Sequence, residues 1–253
     1  MFKSRIRIVL LASLMLLPIA AHAQRNDDRK GGVPGRFDYY ALVLSWSPTY
    51  CLEVARGKRD PQCDRRDGRR FAFVLHGLWP QYERGYPDFC RTRDKPFVPQ
   101  RTIDRMRDIM PSAGLTIHEY RKHGTCTGLS PDGYYELSRR LFEKIKIPPR
   151  FRDPTSHQTI PMRQVIDEFM AANPKLKPDM IAVSCGRPGN RIKDVRICFS
   201  REGEFRTCGG NERQRRMCGA PRVYIPPVRV GRPIPPSGRS GGGQGPQSDG
   251  RSL

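Results

Sequence analysis

The sequence predicts an α+β fold in which a central antiparallel β-sheet is flanked by helices and stapled by disulfides. Three observations carry this expectation: segments rich in aromatic and β-branched residues stand towards both ends of the chain, amphipathic segments lie between them, and eight cysteines are spread through the same region. Strands grouped at the ends with helices between them favour α+β over a repeated βαβ unit.

The elements follow in order. Residues 37–46 (FDYYALVLSW) are aromatic and branched enough for a strand, and residues 70–75 (RFAFVL) alternate into a second. Residues 99–110 and 131–147 read as helices, with Ser130 an N-cap and Pro131 at the first helical position, where its missing N–H costs nothing. Residues 115–123 are expected to form a helix that turns out at Gly124. Residues 159–172 give another amphipathic helix that must end before Pro174. Strand character returns at 180–184 and 194–199.

The organisation around this core is also readable. Lys3, Arg5 and Arg7 precede an apolar run over residues 8–21 and the small-residue site Ala21-His22-Ala23, the pattern of a cleaved signal peptide over residues 1–23. A retained anchor is the alternative; Pro18 and the shortness of the run stand against it. No later apolar run is long enough to span, so no membrane anchor is expected after processing. Residues 24–35 are polar and expected to be disordered, residues 36–225 fit one domain, and residues 226–253 form a Pro/Gly/Ser/Arg tail with little to bury.

Cys51, Cys63, Cys90, Cys126, Cys185, Cys198, Cys208 and Cys218 all follow the cleavage point. An even count in an exported chain reads as four disulfides, and the location as periplasmic or secreted. A zinc site is the alternative, but no C-x-x-C or tight Cys/His cluster occurs. The count alone leaves 105 pairings open. The net charge is +21, and removing Lys3, Arg5 and Arg7 leaves +18. Such a balance favours polyanionic partners: nucleic acid, an anionic membrane surface or an acidic polymer.

Two segments carry chemistry. Four histidines follow the cleavage point, and three of them fall in Phe73-Val74-Leu75-His76-Gly77-Leu78-Trp79-Pro80 and His118-Glu119-Tyr120-Arg121-Lys122-His123-Gly124-Thr125-Cys126. The fourth, His157, lies in a Pro/Ser/Thr-rich connection and reads as a surface residue. In a helix, His118 stacks with Lys122 and Glu119 with His123 at i,i+4, so all four side chains can face one groove. His76 is expected at a strand end, with Gly77 allowing a close turn. The plain alternatives are an exposed helix with an ordinary Glu/His pair and a buried structural histidine beside Trp79. Two imidazoles that titrate near neutrality can, however, act together as proton acceptor and proton donor, which suits phosphodiester chemistry without a metal.

These residues resemble the two active-site segments of the ribonuclease T2 family of secreted ribonucleases: His76-Gly77-Leu78-Trp79-Pro80, and Lys122-His123-Gly124-Thr125-Cys126 preceded by His118-Glu119. Tyr39-Tyr40, Ser45-Trp46-Ser47-Pro48 and Tyr50-Cys51 are similar to that family's first strand, and the likeness runs over roughly residues 37–224. The resemblance implies that His123 is the general base for the ribose 2′-hydroxyl and His76 the general acid for the departing 5′-oxygen. It also implies that Lys122 and Glu119 support the transition state, that His118 holds the phosphate and that Trp79 stacks on a base. The product would be a 2′,3′-cyclic phosphate, opened later to a 3′-phosphate; the substrate is single-stranded RNA, and no cofactor or metal is needed.

The same resemblance suggests Cys90 with Cys126, Cys185 with Cys218 and Cys198 with Cys208, leaving Cys51 with Cys63. Two departures bear on base preference: Tyr120 stands where the family commonly has Trp, and Gln81 where some members carry a base-contacting Asp. Gln81 and Tyr82 are taken as substrate-binding residues, Tyr82 and Tyr86 being equally plausible as packing residues. The protein is expected to be a monomer. The competing classes are a basic binder that keeps only the scaffold and a metal-dependent phosphodiesterase, which would need an Asp/Glu/His cluster the sequence does not offer.

Overall fold

A computed structural model describes residues 32–54, 60–63, 71–186 and 190–228. The expected signal peptide lies outside the described residues, as do most of the two terminal segments. In chain order the elements are β1 (Tyr39–Trp46), α1 (Ser47–Val54), β2 (Phe73–Gln81), α2 (Gln100–Met106) and α3 (Ala113–Glu119). A π-helical turn (Tyr120–Gly124) continues into α4 (Thr125–Thr127), followed by α5 (Pro131–Glu143), β3 (Gln158–Pro161) and α6 (Met162–Ala172). The last elements among the described residues are β4 (Ile181–Gly186), β5 (Arg191–Phe199), α7 (Gln214–Met217) and β6 (Arg222–Ile225).

The sheet runs β2-β1-β5-β6-β3, and β4 also pairs with β5. Every pairing is antiparallel except that of β5 with β6, which run parallel where Arg191 meets Tyr224. All eight residues of β1 are buried, which explains its almost unbroken apolar run: it is an inner strand covered on both faces. Tyr40, Leu42, Leu44 and Trp46 point into the main apolar core, where Trp46 meets Phe73 with ring centroids 4.8 Å apart and Phe151 packs on Phe169 at 5.7 Å. The alternate residues Tyr39, Ala41 and Val43 face the other side of the sheet.

Strand β2 holds the irregularity on which the site depends. Val43 is opposite Gly77 but Leu44 is opposite Leu75, so His76 is an extra residue, a β-bulge. The bulge reverses the alternation. Leu75 and Leu78 can both enter the core, while His76, Gly77 and Trp79 all belong to the opposite face. The expected strand end at residue 75 and turn at Gly77 are therefore corrected: β2 runs through the motif, because Leu78 is pinned by Tyr134, whose hydroxyl donates to the Leu78 carbonyl (3.0 Å) and accepts from its N–H (3.2 Å).

Other boundaries shift for local reasons. The 99–110 helix ends at Met106, and residues 159–161, expected as helix, pair with β6 as β3. Ser130 caps α5 by accepting from the Gly133 N–H, as its position before Pro131 suggested. The packed region is wider than residues 36–225. Gly35 donates to the Cys126 carbonyl (2.9 Å), and Val228 donates to Pro154 (2.9 Å) while Pro226 accepts from the Trp46 indole (3.2 Å).

All four implied disulfides are formed: Cys51–Cys63, Cys90–Cys126, Cys185–Cys218 and Cys198–Cys208. Cys90–Cys126 closes the longest loop, with a sequence separation of 36, and on the chain-entropy account it stabilises by about 4 kcal/mol. A Cys90→Ala/Cys126→Ala double variant should lose about 2–5 kcal/mol in equilibrium urea unfolding. Unchanged stability would show that this bridge does not constrain the domain.

Candidate active site

The second motif folds as one continuous but uneven helix. Ser112 caps α3 by accepting from the Leu115 N–H, and the helix then widens into a π turn over Tyr120–Gly124. The Thr125 N–H reaches the Tyr120 carbonyl five residues back, and Gly128, at φ +78°, ends α4. The expected exit at Gly124 is thus corrected. Gly124 is instead needed for packing, because a Cβ there would lie 2.3 Å from the Tyr120 ring. Tyr120 is itself a core residue, bonded through its hydroxyl to the Leu129 carbonyl (3.1 Å).

The widened turn divides the four charged side chains rather than lining them along one groove. Glu119 and His123 are buried at 1% and 3% exposure, while Lys122 is half-buried and His118 is exposed. Glu119 lies over Gly77, where a Cβ would come 2.0 Å from its Oε2. One carboxylate oxygen pairs with His76 Nε2 at 3.3 Å, and the other accepts from the Trp79 indole N–H at 2.7 Å. Trp79 also stacks on His123, with centroids 4.9 Å apart and planes 20° from parallel, and meets His76 edge-on at 5.4 Å. Two histidines 47 positions apart in the sequence are thereby gathered on one carboxylate and one indole.

Their electrostatics differ. Burial alone would raise the Glu119 carboxyl, but hydrogen bonds from His76 and Trp79 and the neighbouring imidazoles outweigh it and hold the group below the usual carboxylate range. Burial pushes the His123 imidazole down to about 3; the Glu119 charge opposes this and Lys122, His76 and His118 reinforce it. His123 is therefore neutral near pH 7, with its Nδ1 buried and without a hydrogen-bond partner among the described residues.

The structure also reassigns residues. Trp79, read as a base-stacking platform, has its indole committed to Glu119, His123 and Arg196, whose guanidinium carbon stands 4.8 Å from the ring centroid. Gln81, read as a substrate contact, is 1% exposed inside the sheet and accepts from Asn211 at 2.9 Å, so it is out of reach of a base. Tyr82 is half-buried against the core beside Gly32, and Tyr86 is exposed, at 50%.

Arg196 was not singled out in the sequence. In β5 it stands opposite Val43, diagonal to Trp79 across β1, and it bonds Asp194 (3.2 Å) and Glu212 (3.5 Å), the latter also accepting from the Tyr39 hydroxyl. The strand also carries Arg191, Lys193 and Asp194, so the sequence offered no signal that set Arg196 apart. Among the described residues, no three His, Cys, Asp or Glu side chains form a metal-ligand set.

The same arrangement of strands, helix and paired segments has known relatives. A model of the Ribonuclease T2 family matches residues 37–208. A ribonuclease of Aeromonas hydrophila is 35% identical over 240 residues, covering 88% of this chain and 99% of its own length. Ribonuclease I of Escherichia coli K12 is 32% identical over 149 residues, covering 44% of this chain and 55% of its own length. Among solved structures, ribonuclease MC1 from bitter gourd seeds shares the fold at TM-score 0.57 and 20% identity, over 74% of this chain and 99% of its own.

The close fit of Glu119 over Gly77 can be tested by filling the gap. Gly77→Ala should displace the carboxylate, costing about 1–3 kcal/mol of stability and about 10²-fold in kcat/KM; wild-type rates would show that the carboxylate need not sit there. His123, low when folded and ordinary when unfolded, leaves the unfolded chain binding the extra proton between pH 6.5 and about 3. Stability is therefore lost as pH falls through that window. Urea unfolding at several pH values should show His123→Asn losing less stability on acidification than the wild type, and equal slopes would place His123 in water.

Proposed function

The chain belongs to the ribonuclease T2 family and is a T2-type ribonuclease, and from that premise we propose that it cleaves single-stranded RNA through a 2′,3′-cyclic phosphate without a metal. The observation that supports this most is the convergence of His76 and His123 on Glu119 and Trp79. Two proton-transfer groups of one reaction must reach one scissile linkage, and these two share the same pair of neighbours.

In the proposed first step His123 takes the proton of the 2′-hydroxyl, the 2′-oxygen bonds to phosphorus, and the bond from phosphorus to the 5′-oxygen breaks as His76 gives that oxygen a proton. The cyclic phosphate forms without net uptake or release of protons. In the second step water takes the place of the departed alcohol: His76 accepts a proton from it as its oxygen bonds to phosphorus, the bond from phosphorus to the 2′-oxygen breaks as His123 gives that oxygen a proton, and a 3′-phosphate results. The neutrality of His123 leaves it free to accept, and a bound phosphodiester anion raises its affinity for the proton, because a nearby negative charge favours the imidazolium. Lys122, half-buried one position before the base, supplies positive charge where negative charge grows on the phosphoryl oxygens. His118, exposed at the rim, contributes a phosphate contact, and Glu119 orients His76. Trp79 positions His123 rather than receiving a base.

The four disulfides and the basic-then-apolar N-terminal segment support export to the periplasm or outside the cell. No helix among the described residues is long and apolar enough to cross a membrane.

The oxidised protein should degrade RNA in excess EDTA, leave single-stranded DNA intact and release cyclic-phosphate ends, as read by phosphorus NMR. His76→Ala and His123→Ala should each lose at least about 10²-fold in rate while retaining RNA binding. Chelator-sensitive cleavage, or wild-type rates in both variants, would overturn the mechanism.

A further inference from the structure

Behind the catalytic helix lies a second site that the mechanism does not use. A cleft of about 530 Å³ opens there, lined by Phe89, Arg91, Arg93, Lys95 and Arg121. Its one lining carboxylate is Asp94, whose backbone carbonyl accepts from the Thr92 hydroxyl (2.6 Å). None of the four cations has an ion-pair partner among the described residues, and all four are exposed. Four like charges around one concavity repel each other, and the arrangement is relieved by an anion.

Phe89 joins this cleft to the active site. Its ring is 50% exposed and meets His118 edge-on with centroids 6.2 Å apart. Its backbone has φ +46°, a conformation costly for a side chain of this size. Two anchors hold it there: the Phe89 N–H donates to the Lys122 carbonyl (2.8 Å), and the next residue is covalently tied through Cys90–Cys126. An apolar ring is thus kept in solvent, at a conformational cost, between a phosphate-holding histidine and a cationic hollow. An aromatic face beside a row of cations is the pattern by which single strands are bound irrespective of sequence, bases stacking on the ring while cations follow the backbone.

We infer that this cleft is a subsite for the single-stranded RNA beyond the scissile linkage, with Phe89 receiving a base and Arg91, Arg93, Lys95 and Arg121 receiving phosphates. The inference rests on the proposed ribonuclease reading for which strand enters the cleft. It makes the enzyme favour oligonucleotides over dinucleotides. Each phosphate neutralised releases condensed counterions, so the contribution must also weaken with salt.

The test uses the full-length oxidised protein and an Arg91→Gln/Arg93→Gln/Lys95→Gln variant, whose substitutions are all on exposed side chains. Binding is measured by fluorescence anisotropy with a decadeoxyribonucleotide, which lacks the 2′-hydroxyl and is not cleaved, across a range of salt concentrations. Cleavage is measured on a dinucleoside monophosphate and on a decaribonucleotide. The variant should bind the DNA probe about tenfold more weakly, with a log-affinity against log-salt slope smaller by about 0.7 for each phosphate that is no longer neutralised. It should cleave the decaribonucleotide about tenfold less efficiently and the dinucleotide at a rate within about twofold of wild type. Phe89→Leu should weaken probe binding by at least about fivefold, the low end for loss of a base–aromatic stack. Wild-type affinity and slope in the triple variant would overturn the subsite, as would equal losses on the short and long substrates. A wild-type protein that cleaves neither RNA would sink the catalytic reading, while the DNA-binding comparison would still decide the subsite.

Discussion

The site hangs on one buried carboxylate. Glu119 is almost fully removed from water, a position that costs several kcal/mol unless its oxygens are partnered. Both oxygens are partnered, one by His76 and the other by the Trp79 indole, and each partner thereby acquires a defined place. Trp79 in turn backs His123. Three of the residues closest to the proposed chemistry are thus positioned by a single group that has no proton of its own to give near neutral pH.

Room for that carboxylate comes from the sheet. Gly77 removes the side chain that would occupy its place, and the extra residue at His76 turns the histidine, the glycine and the tryptophan towards the same face while leaving the leucines on either side in the core. The helix makes the complementary adjustment: its π turn separates the buried pair Glu119 and His123 from the more exposed Lys122 and His118. One extra residue in a strand and one widened helical turn, both disruptions of regular structure, meet at the site, as strained or irregular backbone often does where geometry is demanding.

Beneath them lies a layer of fixed charge. Arg196 faces Trp79 and is held by Asp194 and Glu212, so the indole is supported by a cation that is itself neutralised by carboxylates. Burial, only partly offset by Tyr39 and Arg196, holds the Glu212 carboxyl above its ordinary value, and the Tyr39 hydrogen bond ties the start of β1 to the same network. Arg196 is thus a paired cation held within the fold, unlike the exposed Arg91, Arg93, Lys95 and Arg121 at the surface.

Much of this was legible in the sequence. Amphipathic periods located the helices, the serine before Pro131 marked a true cap, and the two histidine segments suggested the chemistry proposed above because proton transfer depends on side-chain identity, which sequence displays directly. The likeness of those segments to a known family carried the disulfide pairing that counting could not. What sequence could not supply were the relations set by strand register. Alternation read in one strand cannot reveal a bulge, since the extra residue exists only relative to the strand opposite; the turn expected at Gly77 failed for that reason. Gln81 and Arg196 were misread or missed because burial in a sheet depends on long-range pairing. The side chains able to transfer protons were determined by the chain itself; which of them touch, and which are sealed from solvent, was decided only when distant segments packed together.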